Sequence, residues 1–131
     1  MQFKRMVAVL VASVITLLGL GVAANPAEAA SLGQCPSSTV CTWNGKNWSG
    51  TPAWSQTMGP FGSCFNVSPI NGANNNAESL YNREAFQVSF YRDANGSGYL
   101  FSLAAGAGES DLSVHPSPGG FQNIISSVCH E

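Results

Sequence analysis

The sequence has little charge. Only 9% of its 131 residues are Asp, Glu, Lys or Arg. Beyond residue 29 there are three basic residues against six acidic ones, and no cluster of lysines or arginines occurs. Proteins that bind nucleic acid need a basic surface to neutralise phosphates, so this composition excludes nucleic acid as a partner.

The motifs of common enzymes are also missing. The sequence contains no GxSxG and no HExxH, and neither His115 nor His130 has a nucleophile motif beside it. Glu109 and Asp111 lie in a Gly/Ser-rich stretch that does not place them at a cleft. There is no CxxC pair and no histidine spacing typical of zinc ligands. We therefore predict that the protein is not an enzyme and requires no cofactor.

One long apolar run is present, at the start of the chain. Lys4 and Arg5 precede the run Met6–Ala24, and the small-residue sequence Ala27–Ala29 follows it. The run approaches membrane-spanning length, but this order of features is that of a secretory signal peptide. We predict that residues 1–29 are a cleaved signal peptide. Residues 30–131 would then form one secreted, extracellular domain with no membrane attachment.

The four cysteines all lie in the predicted mature part: Cys35, Cys41, Cys64 and Cys129. An even number in a small exported chain predicts two disulfides. Four cysteines allow three pairings. The short Pro/Ser loop "CPSSTVC" favours Cys35–Cys41, which leaves Cys64–Cys129.

The mature part shows no helical periodicity, and short β-rich runs recur instead. In "AFQVSFY", Phe86, Val88 and Phe90 alternate with polar residues, the period of a half-buried strand. Runs of this kind are separated by Gly, Asn, Pro and Ser clusters, among them "QTMGPFGSC" and "SPINGANNN". Several short strands at this spacing are typical of a β-sandwich or barrel.

The chain repeats itself after 48 residues. In "WNGKNWSG", Trp43 stands seven positions before Gly50, and in "YRDANGSG" Tyr91 stands seven positions before Gly98. The same offset relates three later pairs: Asn75 with Asn123, Ser79 with Ser127, and Leu80 with Val128. One register shared by several features indicates a duplicated β unit.

These motifs resemble a known family. The spacing of Trp43, Trp48 and Gly50 resembles the signature hairpin of βγ-crystallin Greek keys, whose glycine adopts a conformation that a Cβ would forbid. The second copy departs by having Gly96 at the place of the second aromatic residue. Within that group, Cys35–Gly50 resembles the start of the actinobacterial, Streptomyces-type metalloproteinase inhibitors. The resemblance implies an all-β, βγ-crystallin-like sandwich of two Greek-key motifs, held by disulfides.

The resemblance also implies a candidate calcium site. Calcium-binding βγ-crystallins carry the pattern Asn/Asp, Asn/Asp, two free positions, Ser/Thr, Ser after each hairpin, and "NNNAES" and "QNIISS" are similar to it. Calcium takes six to eight oxygen ligands, including amide carbonyls. The candidate ligands are Asn74, Asn75, Glu78, Ser79, Gln122, Asn123, Ser126 and Ser127. Glu78 and Gln122 depart from the pattern, and the alternative is that these residues only cap turns and strand ends.

Two functions follow from the resemblance. The first is a secreted peptidase inhibitor, monomeric, whose partner is a secreted protease. In the resembled inhibitors the reactive loop follows the second hairpin between cysteines, but the matching segment Phe90–Leu103 contains no cysteine, so we assign no reactive site there. Leu112–Gly120 is a second candidate loop. The alternative function is a non-inhibitory extracellular module that binds calcium or a cell-envelope ligand, for which Trp43, Trp48 and Trp54 offer aromatic surfaces.

Overall fold

The computed structural model describes residues 32–69, 72–114 and 120–131. Within these ranges the chain forms eight β-strands and one short 3-10 turn, Lys46–Trp48. The strands are β1 (Val40–Trp43), β2 (Trp54–Gln56), β3 (Cys64–Asn66), β4 (Ser79–Asn82), β5 (Val88–Asp93), β6 (Ser97–Leu103), β7 (Gly108–Glu109) and β8 (Ser127–His130).

The strands pair into two four-stranded antiparallel sheets. The first has the order β2-β1-β4-β7 and the second the order β3-β8-β5-β6. If the number of each strand in the first sheet is raised by four, with β1 following β8, the order becomes β6-β5-β8-β3. This is the second sheet read from its other edge. Each four-strand motif therefore gives its third strand to the sheet of the other motif. This arrangement confirms the predicted sandwich of two Greek keys.

The 48-residue repeat holds residue by residue in the strand pairing. β1 pairs with β4 from Val40–Asn82 to Trp43–Ser79. β5 pairs with β8 from Val88–His130 to Tyr91–Ser127, and each of these residues lies 48 positions after its counterpart. The two motifs therefore have the same internal register.

The core lies between the two sheets. Its fully buried members include Val40, Leu80, Val88, Phe90 and Val128. The strand predicted around "AFQVSFY" begins at Val88, later than the apolar alternation indicates. Val88 and Phe90 point into the core as predicted. The alternating period of the sequence therefore identified the inward face but not the first residue of the strand.

Both predicted disulfides are present, Cys35–Cys41 and Cys64–Cys129. The first closes a six-residue separation and packs with Trp43 in a small separate cluster. The second joins directly opposed residues of β3 and β8, 65 positions apart in sequence. Because β3 belongs to one motif and β8 to the other, this disulfide links the two repeats.

Several predictions concern residues outside the described ranges. The predicted signal peptide, residues 1–29, lies there, as do His115 and most of the candidate loop Leu112–Gly120. No helix among the described residues is long and apolar enough to cross a membrane.

Candidate functional site

Each hairpin is fastened by one buried serine. The Ser79 hydroxyl accepts a hydrogen bond from the Trp48 amide (3.0 Å) and donates one to the Gly45 carbonyl (2.6 Å). Ser127 repeats both bonds 48 positions later, with the Gly96 amide (2.9 Å) and the Asp93 carbonyl (2.6 Å). Both serines are fully buried. Their hydroxyls therefore hold the folded hairpins against the sheets.

The first aromatic residue of each hairpin packs inside the protein. Trp43 is fully buried, and its indole nitrogen donates a hydrogen bond to the Gly50 carbonyl (3.0 Å). Tyr91 takes the equivalent place in the second repeat. Burial, reinforced by a hydrogen bond with Glu131, raises the pKa of Tyr91 to about 12. Trp54 is also buried. These tryptophans do not offer the exposed face that stacking on a sugar requires.

The second aromatic residue differs between the repeats, and the disulfide explains why. In the first repeat Trp48 packs beside the β4–β7 pair Tyr81–Gly108; a Cβ on Gly108 would lie 3.3 Å from the Trp48 ring and 2.8 Å from Tyr81. The equivalent β8–β3 pair in the second repeat is Cys129–Cys64.

There the disulfide fills the space. A Cβ on Gly96, the counterpart of Trp48, would lie 2.7 Å from the Cys129 sulfur and 2.9 Å from the Cys64 sulfur. The disulfide therefore takes the space that the second aromatic residue fills in the first repeat, and glycine at position 96 leaves room for it.

The residues of the candidate calcium site come from two turns that cross between the repeats. The Asn75 amide donates to the Ile125 carbonyl (3.1 Å), and the Asn123 amide donates to the Ala77 carbonyl (2.9 Å). Asn75 and Asn123 both have left-handed backbone angles, with φ of 57° and 61°, a conformation that asparagine tolerates better than most residues. In addition, the Ser126 hydroxyl donates to the Asn75 side-chain oxygen (2.7 Å).

One group of these residues lines an open cleft of about 460 Å³. The lining includes four of the eight predicted ligands, and also Arg92 and the carboxylate residue Asp93 of the second hairpin. The predicted ligands in the lining are Asn74, Asn75, Asn123 and Ser126. No ion pair involving Arg92 or Asp93 occurs within the described ranges. The residues that line the cleft therefore carry amide and hydroxyl oxygens, and Asp93 adds a carboxylate residue to the lining.

The counterpart of this cleft in the other repeat is crossed by an ion pair. Ala94 in the lining of the open cleft corresponds to Lys46, whose ammonium lies 3.1 Å from Asp111 Oδ2 and 3.0 Å from the Ser113 hydroxyl. Hydrogen bonds from Ser113, and the Lys46 ammonium, lower the pKa of Asp111. The Lys46 ammonium, a cation of the protein itself, thus occupies the counterpart of the open cleft.

The other predicted ligands lie apart from the open cleft. Glu78 and Gln122 are half-buried, and they correspond by the repeat to Ser126 and Asn74. Ser79 and Ser127 are the two hairpin serines. No group of three or more His, Cys, Asp or Glu side chains that could hold a metal occurs in residues 32–69, 72–114 and 120–131. The prediction of a calcium site therefore stays a prediction.

Sequence reasoning missed two features. Asp93 was not among the predicted ligands, although it stands in the "YRDANG" hairpin that the repeat had already identified. The loop before β3 was predicted only as a loop, yet it carries Phe61, whose side chain is 79% exposed.

The connection between β5 and β6 in the second hairpin is short, since β5 ends at Asp93 and β6 begins at Ser97. It is a tight turn and not an extended reactive loop.

Solved structures similar to this fold are βγ-crystallins. A structure solved in work on the evolution of the eye lens βγ-crystallin domain fold has a TM-score of 0.56 at 19% identity, covering 72% of this chain and 87% of that chain. A βγ-crystallin from Ciona intestinalis has a TM-score of 0.54 at 13% identity, covering 71% of this chain and 99% of that one. A βγ-crystallin from an archaeon has a TM-score of 0.53 at 18% identity, covering 73% and 100%. At these identities the likeness shows the fold alone.

Comparisons of the sequence identify the family to which the chain belongs. No curated protein matches the chain in sequence. The model of one protein family, peptidase inhibitor family I36, matches residues 28–103, more than half of the chain. This match confirms the resemblance seen in Cys35–Gly50 and the prediction that the protein is not an enzyme. On that match the chain belongs to peptidase inhibitor family I36.

Proposed function

We propose that the protein is a secreted inhibitor of a metalloproteinase. The observation that carries the proposal is the family match over residues 28–103, which supports a peptidase as the partner. The metalloproteinase class is supported by the likeness of Cys35–Gly50 to the Streptomyces-type inhibitors.

The architecture suits this role. Inhibitors of this kind bind tightly when the surface they present is already ordered, because little conformational entropy is then lost on binding. Two disulfides and a strand exchanged between the motifs restrict the free chain. Disulfides persist in oxidising compartments outside the cytosol, which supports export, and we propose that residues 1–29 are removed in that process.

The direct test is a stoichiometric titration. The purified mature protein, residues 30–131, is added to a thermolysin-type metalloproteinase and, in parallel, to a subtilisin-type serine protease. We expect the metalloproteinase to lose activity as the molar ratio approaches one and the serine protease to keep it. Inhibition of the serine protease alone would contradict the proposed target class. Full activity of both enzymes would contradict an inhibitory function against them.

A second function is favoured by the open cleft. Asn74, Asn75, Ser126 and Asp93 line it, and their side chains carry oxygen atoms of the type that Ca²⁺ prefers. We propose that this cleft, rather than its counterpart with Lys46, binds calcium. With one carboxylate and several neutral oxygens, such a site should have millimolar affinity, as extracellular modules do.

Thermal melting tests calcium binding. A ligand of the folded state raises the melting midpoint, so millimolar Ca²⁺ should raise it relative to EGTA. Asp93→Asn should abolish the increase. Asp111→Asn is the matched control, because its carboxylate already pairs with Lys46, and it should retain the increase. Equal midpoints in Ca²⁺ and EGTA for the unmodified protein would leave these asparagines with a turn-capping role.

A further inference from the structure

The loop between β2 and β3 presents an aromatic side chain to solvent. Its tip is Phe61, exposed to 79% and the most exposed of the large hydrophobic side chains described. Pro60 precedes it and Gly62 follows it. Exposed single apolar residues are common on proteins, so exposure alone does not indicate a function. The backbone that carries Phe61 supplies the further evidence.

The tip of the loop is a closed turn. The Ser63 amide donates a hydrogen bond to the Pro60 carbonyl (3.0 Å), and Gly62 has a φ of +88°. A four-residue turn with glycine of positive φ at its third position has the pattern of a type II turn. Phe61 is the second residue of this turn, the position that projects outward.

The turn is fastened to β8 on both sides. The Gly62 amide donates to the His130 carbonyl (2.7 Å), and the His130 amide donates to the Ser63 carbonyl (2.9 Å). The Nδ1 atom of His130 lies 2.9 Å from the Gly59 carbonyl. A carbonyl oxygen only accepts hydrogen bonds, so Nδ1 is the donor. Immediately after the turn, Cys64 is joined to Cys129 by the disulfide.

The base of the loop is also fixed. Met58 is buried, and its amide donates a hydrogen bond to Oε1 of the buried Glu84 (2.7 Å). The His130 ring stacks on Phe86 at a centroid distance of 3.5 Å and meets the Phe61 ring edge-on at 5.8 Å. All residues of the loop except Phe61 thus make a backbone hydrogen bond that fixes the loop: Met58, Gly59, Pro60, Gly62 and Ser63. The Phe61 side chain extends from the surface.

The other repeat has nothing comparable. The equivalent connection, between β6 and β7, is residues 104–107, with the sequence Ala-Ala-Gly-Ala. It carries no large side chain and no disulfide. The aromatic tip and its supports therefore belong to one repeat only and are not needed to build the Greek key.

We propose that residues 58–63, referred to below as the Phe61 loop, form the surface that enters the active-site cleft of the peptidase. Phe61 fills a specificity pocket that accepts a large apolar side chain. A pre-ordered turn with an aromatic anchor loses little entropy on binding, and buried aromatic anchors dominate interface energies. The inference rests on the proposed inhibitory function and names the part of the protein that performs it.

The test compares two exposed aromatic residues. Phe61→Ala should weaken inhibition of the peptidase found by titration at least about 30-fold, the loss expected of a dominant anchor. Tyr99→Ala is the matched control, since Tyr99 is 60% exposed on β6, outside the Phe61 loop; it should change the inhibition constant less than about 3-fold. Phe61→Leu, which keeps an apolar side chain, should lose less than Phe61→Ala.

Melting midpoints of the variants separate binding from folding. Because Phe61 is mostly exposed, Phe61→Ala should melt close to the unmodified protein, so that its loss of inhibition reflects binding. If the unmodified protein inhibits while Phe61→Ala and Tyr99→Ala inhibit equally well, the Phe61 loop is not the binding surface and the inhibitory function still holds. If the unmodified protein inhibits no peptidase, the proposed function itself fails.

Discussion

Gly96 provides a quantitative test of the fit between the second hairpin and the disulfide. The substitution Gly96→Ala adds a Cβ that would lie 2.7 Å and 2.9 Å from the two sulfurs of Cys64–Cys129. Gly96 also has a φ of +70°. The substitution therefore introduces two separate penalties, one from the backbone conformation and one from the contact with sulfur.

The two penalties differ in origin, and each has a typical size. An L-residue in the left-handed region costs about 1–2 kcal/mol. Overpacking a close contact costs about 1–3 kcal/mol more. Gly96→Ala should therefore lower the free energy of unfolding by about 3 kcal/mol. Gly106→Ala is the control, because Gly106 has a φ of +72° with no atom within 4 Å of the added Cβ. It should cost only about 1 kcal/mol.

Denaturant unfolding in two backgrounds completes the experiment. Replacing both Cys64 and Cys129 with alanine removes the sulfur atoms, and in that background Gly96→Ala should cost no more than Gly106→Ala. The double replacement itself costs about 4 kcal/mol for a 65-residue separation. All the proteins are therefore compared in sulfate buffer, which strengthens the folded state. An unchanged cost of Gly96→Ala in the disulfide-free background would refute the conclusion that the disulfide replaces the missing aromatic residue.

Three further predictions concern other features. Replacing Cys35 and Cys41 with alanine should lower the free energy of unfolding by about 2 kcal/mol, since this disulfide closes a loop of only six residues' separation; a loss as large as that for the long-range disulfide would contradict the loop-length reasoning. Ser79→Ala should cost about 1–3 kcal/mol in thermal or denaturant unfolding because the partly buried Trp48 amide and Gly45 carbonyl lose their partner; a neutral effect would contradict the role of this hydroxyl in holding the hairpin. The lowered pKa of Asp111 means that its stabilising contribution is present above the pKa of an unfolded aspartate, near pH 4, and is lost as the pH falls through the lower folded value. Stability measured from pH 6 down to pH 2 should accordingly fall less steeply in Asp111→Asn, and equal slopes would contradict this assignment.

The 48-residue repeat carried most of the fold prediction. It could be seen in the sequence because the hairpin aromatics, the positive-φ glycines and the buried serines satisfy local requirements that recur in each motif. Ser79 and Ser127 make the same two bonds in each copy. The exchange of the third strands, β3 and β7, could not be predicted from the sequence in this way. β7 has only two residues, Gly108–Glu109, with no apolar alternation to mark it.

The candidate sites depended on contacts between distant segments. Asn75 and Ser126 are 51 positions apart, and their hydrogen bond forms because the turns of the two repeats cross. One difference between the open cleft and its counterpart is Ala94 against Lys46, and the partners of Lys46, Asp111 and Ser113, come from a segment distant in sequence. The support of the Phe61 loop by His130 likewise required the pairing of β3 with β8.

The pairing of β3 with β8 has a consequence for the timing of assembly. The turn that carries Phe61 makes its backbone hydrogen bonds with His130, and the adjacent disulfide joins cysteines 65 positions apart. During synthesis the turn and β3 therefore emerge long before β8, with which they pair. The disulfide between β3 and β8 then needs an oxidising environment to form. The turn can make these hydrogen bonds only after the chain has reached residues 127–130. A partly synthesised chain that has not reached His130 thus lacks the backbone partners of this turn.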